Sequence, residues 1–158
     1  MSNAVSDLAE LLHSMNPVLN RGMYAFVSLP AGGVPDRVEP LATFRESEGL
    51  TLIVEEQQAK DAGLPILFRA AWITLTVHSD LQAVGLTAAV ATALAEAGIS
   101  CNVVAAAYHD HLFVPVESAS QAIAALRTLQ ERPVQIPARP DQVALRRVLP
   151  ATLRGNVE

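Results

Sequence analysis

The sequence predicts an α+β protein made of two ferredoxin-like βαββαβ repeats, with antiparallel sheets and helices on one face. Three observations carry this. From Trp72 onward the chain reads strand, helix, strand, strand, helix, which is the order of a split βαβ unit. The first half can be laid on the second: at an offset of 62, Leu50-Thr-Leu-Ile-Val-Glu55 falls on Leu112-Phe-Val-Pro-Val-Glu117. The first strands align at an offset of only 48, with Val27 on Leu75, and the deficit of 14 residues is about the length of one helix. The first copy is therefore expected to lack its first helix and to carry the loop Pro30–Pro40 instead. The expected division is a degenerate first repeat with a leading helix over 1–66, a complete repeat over 67–138 and a basic extension over 139–158.

Taken in order, Ser6 to Met15 reads as a short helix, with Ser6 as N-cap, Leu8, Leu11, Leu12 and Met15 on one face, and Pro17 stopping it. Met23–Leu29 alternates as a strand, and the Pro-Gly-rich stretch after it forbids a regular element. Leu41–Glu46 and Leu50–Val54 read as a hairpin around Ser47-Glu48-Gly49. A helix is expected over 55–62, ended by Gly63 and Pro65. Trp72–His78 alternates strictly, placing Ile73, Leu75 and Val77 on one side. Gly85–Ala97 carries Leu86, Ala89, Val90, Ala93, Leu94 and Ala97 at helical spacing, with Gly98 where a left-handed C-terminal cap belongs. Strands are expected over Ile99–Ala107 and Leu112–Val116. Ser118 and Gln121 have the spacing of a capping box for a helix carrying Ala122, Ile123, Leu126 and Leu129, and Val134–Ile136 reads as a last short strand.

Composition bounds the function. Of 158 residues, 51% are hydrophobic and 17% charged, enough apolar material for a buried core. The longest apolar run, Val103–Tyr108, is far short of the roughly 20 residues of a membrane span, and no basic-then-apolar leader opens the chain. The single cysteine, Cys101, forms no internal disulfide and fits a reducing compartment, so a cytoplasmic location and no membrane association are expected. A net charge of −5 argues against nucleic acid as a partner. The charge is uneven: residues 1–131 hold 14 acids against 6 bases, whereas 132–158 hold five arginines against Asp141 and Glu158. There is no phosphate-cradling glycine motif and no nucleophile elbow, so neither an enzyme nor a cofactor is expected. Cys101, beside a strand core, reads as a small buried hydrophobe. His109, Asp110 and His111, with His78, invite a metal reading, but a turn at Asp110 would break the shared face of the two histidines, and no metal site is expected.

Several strings carry a resemblance. Ala95-Glu-Ala-Gly-Ile-Ser100, following a strand, a loop and a helix opening at Gly85-Leu86, resembles the ACT domain, a small ferredoxin-like module that binds amino acids and related metabolites. Gly98–Val114 is similar to the ACT variant of aspartokinase regulatory halves and of eukaryotic cytosolic arginine sensors. Asn16-Pro-Val-Leu, Ala42-Thr-Phe-Arg-Glu46, Leu75-Thr-Val-His-Ser79, Gly85-Leu-Thr-Ala-Ala and Tyr108-His-Asp-His-Leu-Phe-Val-Pro115 resemble a bacterial family of stand-alone tandem ACT proteins. The resemblance spans roughly residues 8–131. It implies a non-enzymatic regulatory protein that binds a small molecule, an amino acid in the first place, between its two repeats, and that forms a homodimer or acts on a protein partner. An ACT-like structural or docking protein without a ligand is the alternative.

Chemistry points to the start of the helix at Gly85. Free N–H groups at a helix N-terminus suit a ligand carboxylate, and Gly85, Leu86 and Thr87 supply them, with Gly85 allowing close approach; the same glycine equally serves a tight turn. The ACT arrangement implies that Asn102 and Asp110 lie near this loop as partners for an ammonium or polar group. From the first repeat, Thr43, Arg45 and Glu46 stand on the strand expected to adjoin the site.

Overall fold

The computed structural model describes residues 7–30 and 33–131; the segment 139–158 and the expected strand Val134–Ile136 lie outside the described residues. In chain order the elements are α1 (Leu8–Ser14), β1 (Pro17–Leu19), β2 (Tyr24–Leu29), β3 (Ala42–Arg45), β4 (Leu50–Glu55), α2 (Glu56–Asp61), β5 (Ile66–Leu75), α3 (Leu86–Glu96), β6 (Asn102–Ala105), β7 (Asp110–Pro115) and α4 (Ala119–Glu131), the last preceded by a single 3-10 turn at Val116–Ser118. The mixed α+β architecture of two ferredoxin-like repeats is as the pattern predicts, and the first repeat has a loop where its first helix would stand.

The strands form one sheet in the order β3-β4-β2-β5-β7-β6, all pairs antiparallel, with β1 joined to β5. The ten-residue β5 makes this possible. Its first half pairs with β2, Phe68 opposite Phe26, while its second half pairs with β7, Trp72 opposite Phe113. The expected boundary after residue 66 thus falls inside a strand that serves both repeats. The alternation from Trp72 onward marks only the second half of β5; Arg69-Ala70-Ala71 hides the first.

The leading helix, expected with the first repeat, packs on the second. Leu11, Leu12 and Met15 are buried with Ile73, Leu75, Leu86, Leu94, Leu112 and Leu126. Asp7, rather than Ser6, caps α1, its carboxylate accepting the Glu10 N–H at 3.0 Å. β1 follows and lies beside β5, Pro17 opposite Leu75 and Leu19 opposite Ile73. In a ferredoxin-like unit that flank of the first strand belongs to the fourth, so the chain's own N-terminus supplies the strand that completes the second repeat.

Hydrophobic periodicity sets which face each strand buries. Ala25, Val27, Leu52, Val54, Ala71, Ile73, Leu75, Leu112 and Val114 point to one side, where α1, α3 and α4 cover the second repeat and α2, through Ala59, covers the first. The opposite side carries no helix among the described residues. The β3–β4 hairpin needs its glycine, because a Cβ on Gly49 would run into the Leu29 carbonyl oxygen of the adjoining strand. Gly98, at φ +72°, closes α3 as expected. The capping box at Ser118 does not form: the Gln121 side chain donates instead to the Ala97 carbonyl at 3.2 Å, tying α4 to the end of α3.

Candidate functional site

The loop from β5 to α3 turns back over the ends of β6 and β7 and encloses a cavity of about 50 Å³. Ser79, Asp80, Leu81, Ala83, Leu86, Thr87, Ala105 and Asp110 line it. Local hydrogen bonds shape the loop. The Asp80 side chain accepts the Gln82 N–H at 2.9 Å and its carbonyl accepts the Ala83 N–H at 2.8 Å, so a tight turn delivers the chain to the helix.

Two features give the cavity its polarity. The N-terminus of α3 is uncapped, for Gly85 at the N-cap has no side chain and the first turn holds no acid; the N–H groups of Leu86 and Thr87 have no carbonyl below them in the helix, which leaves a positively polarised end. Facing it is Asp110, the first residue of β7, only 7% exposed, whose carboxylate accepts a hydrogen bond from the Ser79 hydroxyl at 3.2 Å. A donor surface and an acceptor thus share one small enclosure.

The structure brings together three of the residues singled out on the sequence, Leu86, Thr87 and Asp110, and separates the others. Gly85 looks away from the cavity into a groove with Leu8, Ala88, Ala89, Thr92 and Leu129. A Cβ there would lie 2.9 Å from the Leu8 side chain, and its φ is +107°, so glycine is required where α1 crosses the start of α3. Asn102 sits opposite Phe113 on the helix-free side of the sheet, across the strands from Asp110. Thr43, Arg45 and Glu46 lie on and beyond β3, at the opposite edge of the sheet from β6, so within one chain they do not adjoin this cavity. The enclosure is consequently lined by second-repeat residues alone and does not lie between the repeats of a single chain. Ser79, Asp80 and Ala105 were missed on the sequence; the Ser-Asp pair opening the turn was their only local signal.

The histidines part company. His109 Nδ1 lies 3.2 Å from the Val77 carbonyl, whereas His111, on the other face, accepts the Trp72 indole N–H at Nδ1. Burial and the neighbouring His109 hold the His111 pKa below its ordinary value. Among the described residues no group of three or more His, Cys, Asp and Glu could hold a metal ion. Burial pushes the Cys101 thiol up to about 11, leaving little thiolate at neutral pH. No described helix is long and apolar enough to cross a membrane.

Comparison with known proteins finds a family match in each half of the chain. Residues 3–71 match one ACT-domain family and residues 67–128 a second. Among solved structures, a protein of unknown function from Vibrio cholerae, described as a possible transport protein, is 52% identical, with a TM-score of 0.71 over 78% of this chain and 96% of that one. A protein from Agrobacterium tumefaciens shares the fold at 16% identity and a TM-score of 0.58, covering 73% and 89%. The ligand-free regulatory subunit of aspartate kinase from Thermus thermophilus does so at 12% identity and 0.54, covering 72% and 95%. Comparison with curated proteins finds no match.

Proposed function

The chain belongs to the ACT-domain family as two modules in tandem, and on that premise we propose that it is a non-enzymatic regulatory protein that binds a free amino acid at the start of α3. ACT domains are typically regulatory ligand-binding modules. The observation that carries the reading to this site is the buried Asp110 carboxylate facing an uncapped helix N-terminus. The pairing of a donor end with a carboxylate in one cavity suits a zwitterion: the Leu86 and Thr87 N–H groups take the α-carboxylate, and Asp110 takes the ammonium. A cavity of about 50 Å³ has room for the main-chain end of an amino acid, a few water volumes, while the ligand side chain leaves past Leu81 and Thr87, both exposed. Binding regulates if it favours one arrangement of this loop, or of a partner, over another.

A thermal-shift screen against the twenty amino acids tests this, since a ligand bound only by the folded state raises Tm by mass action. One amino acid should give a saturable shift. Asp110→Asn should then weaken it about 10- to 100-fold, the scale of one charge-assisted hydrogen bond, with Tm of the free protein little changed. An unaltered affinity in that variant overturns the placement. One observation favours the ligand-free docking role instead: Leu8 already fills the space in front of Gly85. Absence of any shift would support that second reading.

A further inference from the structure

The helix-free face of the sheet has the composition of an interior. Register places on it Tyr24, Phe26 and Ser28 of β2, Ala42 and Phe44 of β3, Thr51, Ile53 and Glu55 of β4, Phe68, Ala70, Trp72 and Thr74 of β5, His111 and Phe113 of β7 and Asn102 and Val104 of β6. Six of the seven aromatic residues of the chain are there, and Glu55, at the margin, is the one Asp, Glu, Lys or Arg among them. The rings interlock edge to face: Phe26 meets Phe68 at 5.6 Å and Phe113 at 5.4 Å, and Tyr24 meets Trp72 at 5.3 Å. Beneath them Ile53, Ala70 and Phe113 are at most 1% exposed. At one end the polar groups are satisfied among themselves, Asn20 donating to Thr74 Oγ1 at 2.9 Å and Trp72 to His111 at 3.1 Å.

We propose that this face is the surface on which two copies of the chain associate, sheet against sheet, so that the protein works as a symmetric dimer. Charge selects the occupant. Over residues 1–131 the chain carries 14 acids against 6 bases, so two copies repel wherever their charged surfaces meet; here they approach without bringing like charges together, except at the margin. A strongly charged partner would find nothing complementary on the face, whereas an uncharged aromatic face is complementary to itself across a two-fold axis. The area is also of the right scale. Six strands abreast at about 4.8 Å, each some five residues long, give roughly 500 Å² in projection. Rings standing above the sheet add to this, towards the roughly 800 Å² per partner of a standard interface.

The experiment is sedimentation velocity on the full chain over a roughly hundredfold dilution, with emission of Trp72, the only tryptophan, followed in parallel. The proposal expects a dimer whose dissociation moves Trp72 emission to the red. Phe68→Glu, at the centre of the face, should raise the dimer dissociation constant at least about 30-fold. Phe44→Glu, on the edge strand and 44% exposed, should weaken the dimer without endangering the fold, and decides the matter if the first variant unfolds. Val84→Glu, on the helix side and 84% exposed, should leave it intact. A chain that stays monomeric throughout overturns the proposal. So does a dimer indifferent to the face substitutions, or one dissociated by Val84→Glu.

Discussion

The two repeats share β5 and differ by one helix. In the second, α3 covers the sheet, contributes Leu86, Val90 and Leu94 to a large core, and brings an uncapped N-terminus against Asp110. In the first, the described part of the loop after β2 supplies Val38 to a core of Ala25, Val27, Leu52, Val54 and Ala59, and among the described residues no helix end faces β4 at the corresponding place. What stands out there is an ion cluster instead: Glu56, 3% exposed, receives Arg69 Nε at 2.7 Å and Lys60 Nζ at 2.9 Å. Losing a helix removes both core and donor groups at once, so among the described residues the first repeat has the smaller core and only the second sets an uncapped helix start beside a buried carboxylate.

The largest expected effect tests the difference in core. Leu94→Ala should cost about 2–5 kcal/mol in a denaturant titration, since Leu94 is fully buried between α1, α4 and the sheet. Leu52→Ala should fall at the low end of that range, because the loop covering the first repeat can settle into the space. Because β5 is hydrogen-bonded on both sides, both variants should still unfold in one transition; two separated transitions would show that the repeats are independent.

Next comes the ion cluster. Hydrogen bonds from Arg69, then Lys60, hold the Glu56 carboxyl down at about 2, against an ordinary 4.5. A depressed carboxylate contributes stability that is complete above its unfolded pKa and is lost as the pH falls towards the folded one. Wild type should therefore be more stable than Glu56→Gln at neutral pH, and the two melting curves should converge between pH 4.5 and about 2. A gap that persists unchanged into acid would mean that Glu56 acts by packing. The smallest effect is at α1: Asp7→Ala should cost about 1 kcal/mol through the lost cap. It should do so by loosening the second repeat, against which that helix packs, and hydrogen exchange would show whether α3 and α4 loosen with it.

Much of this organisation was legible because periodicity is local. The hairpin at Gly49, the helix ending before Gly98 and the doubled pattern at offset 62 each rest on residues within one element or on a repeat of them. That Leu86, Thr87 and Asp110 would come together around one cavity was legible because a helix start and a nearby strand are also short-range features. The misplacements are all long-range. Asn102 and Asp110 stand at the two ends of one hairpin pairing and point to opposite faces, a matter of register. Arg45 and Glu46 depend on the order of strands across the sheet, which periodicity does not encode. Gly85 satisfies a helix crossing 77 residues away in the chain, at Leu8.

By itself, then, the sequence determined most of the elements, though not β1 or the first half of β5, together with the pair of repeats and the helix missing from the first, because hydrophobic spacing, glycine and proline act over a few residues. Only the tertiary structure decided that the N-terminal strand completes the second repeat, that both repeats share β5, and that the aromatic residues collect on the side that none of the described helices covers. Those outcomes follow from which strand edges and sheet faces remain unsatisfied once the local elements have formed, and that is a property of the assembled chain.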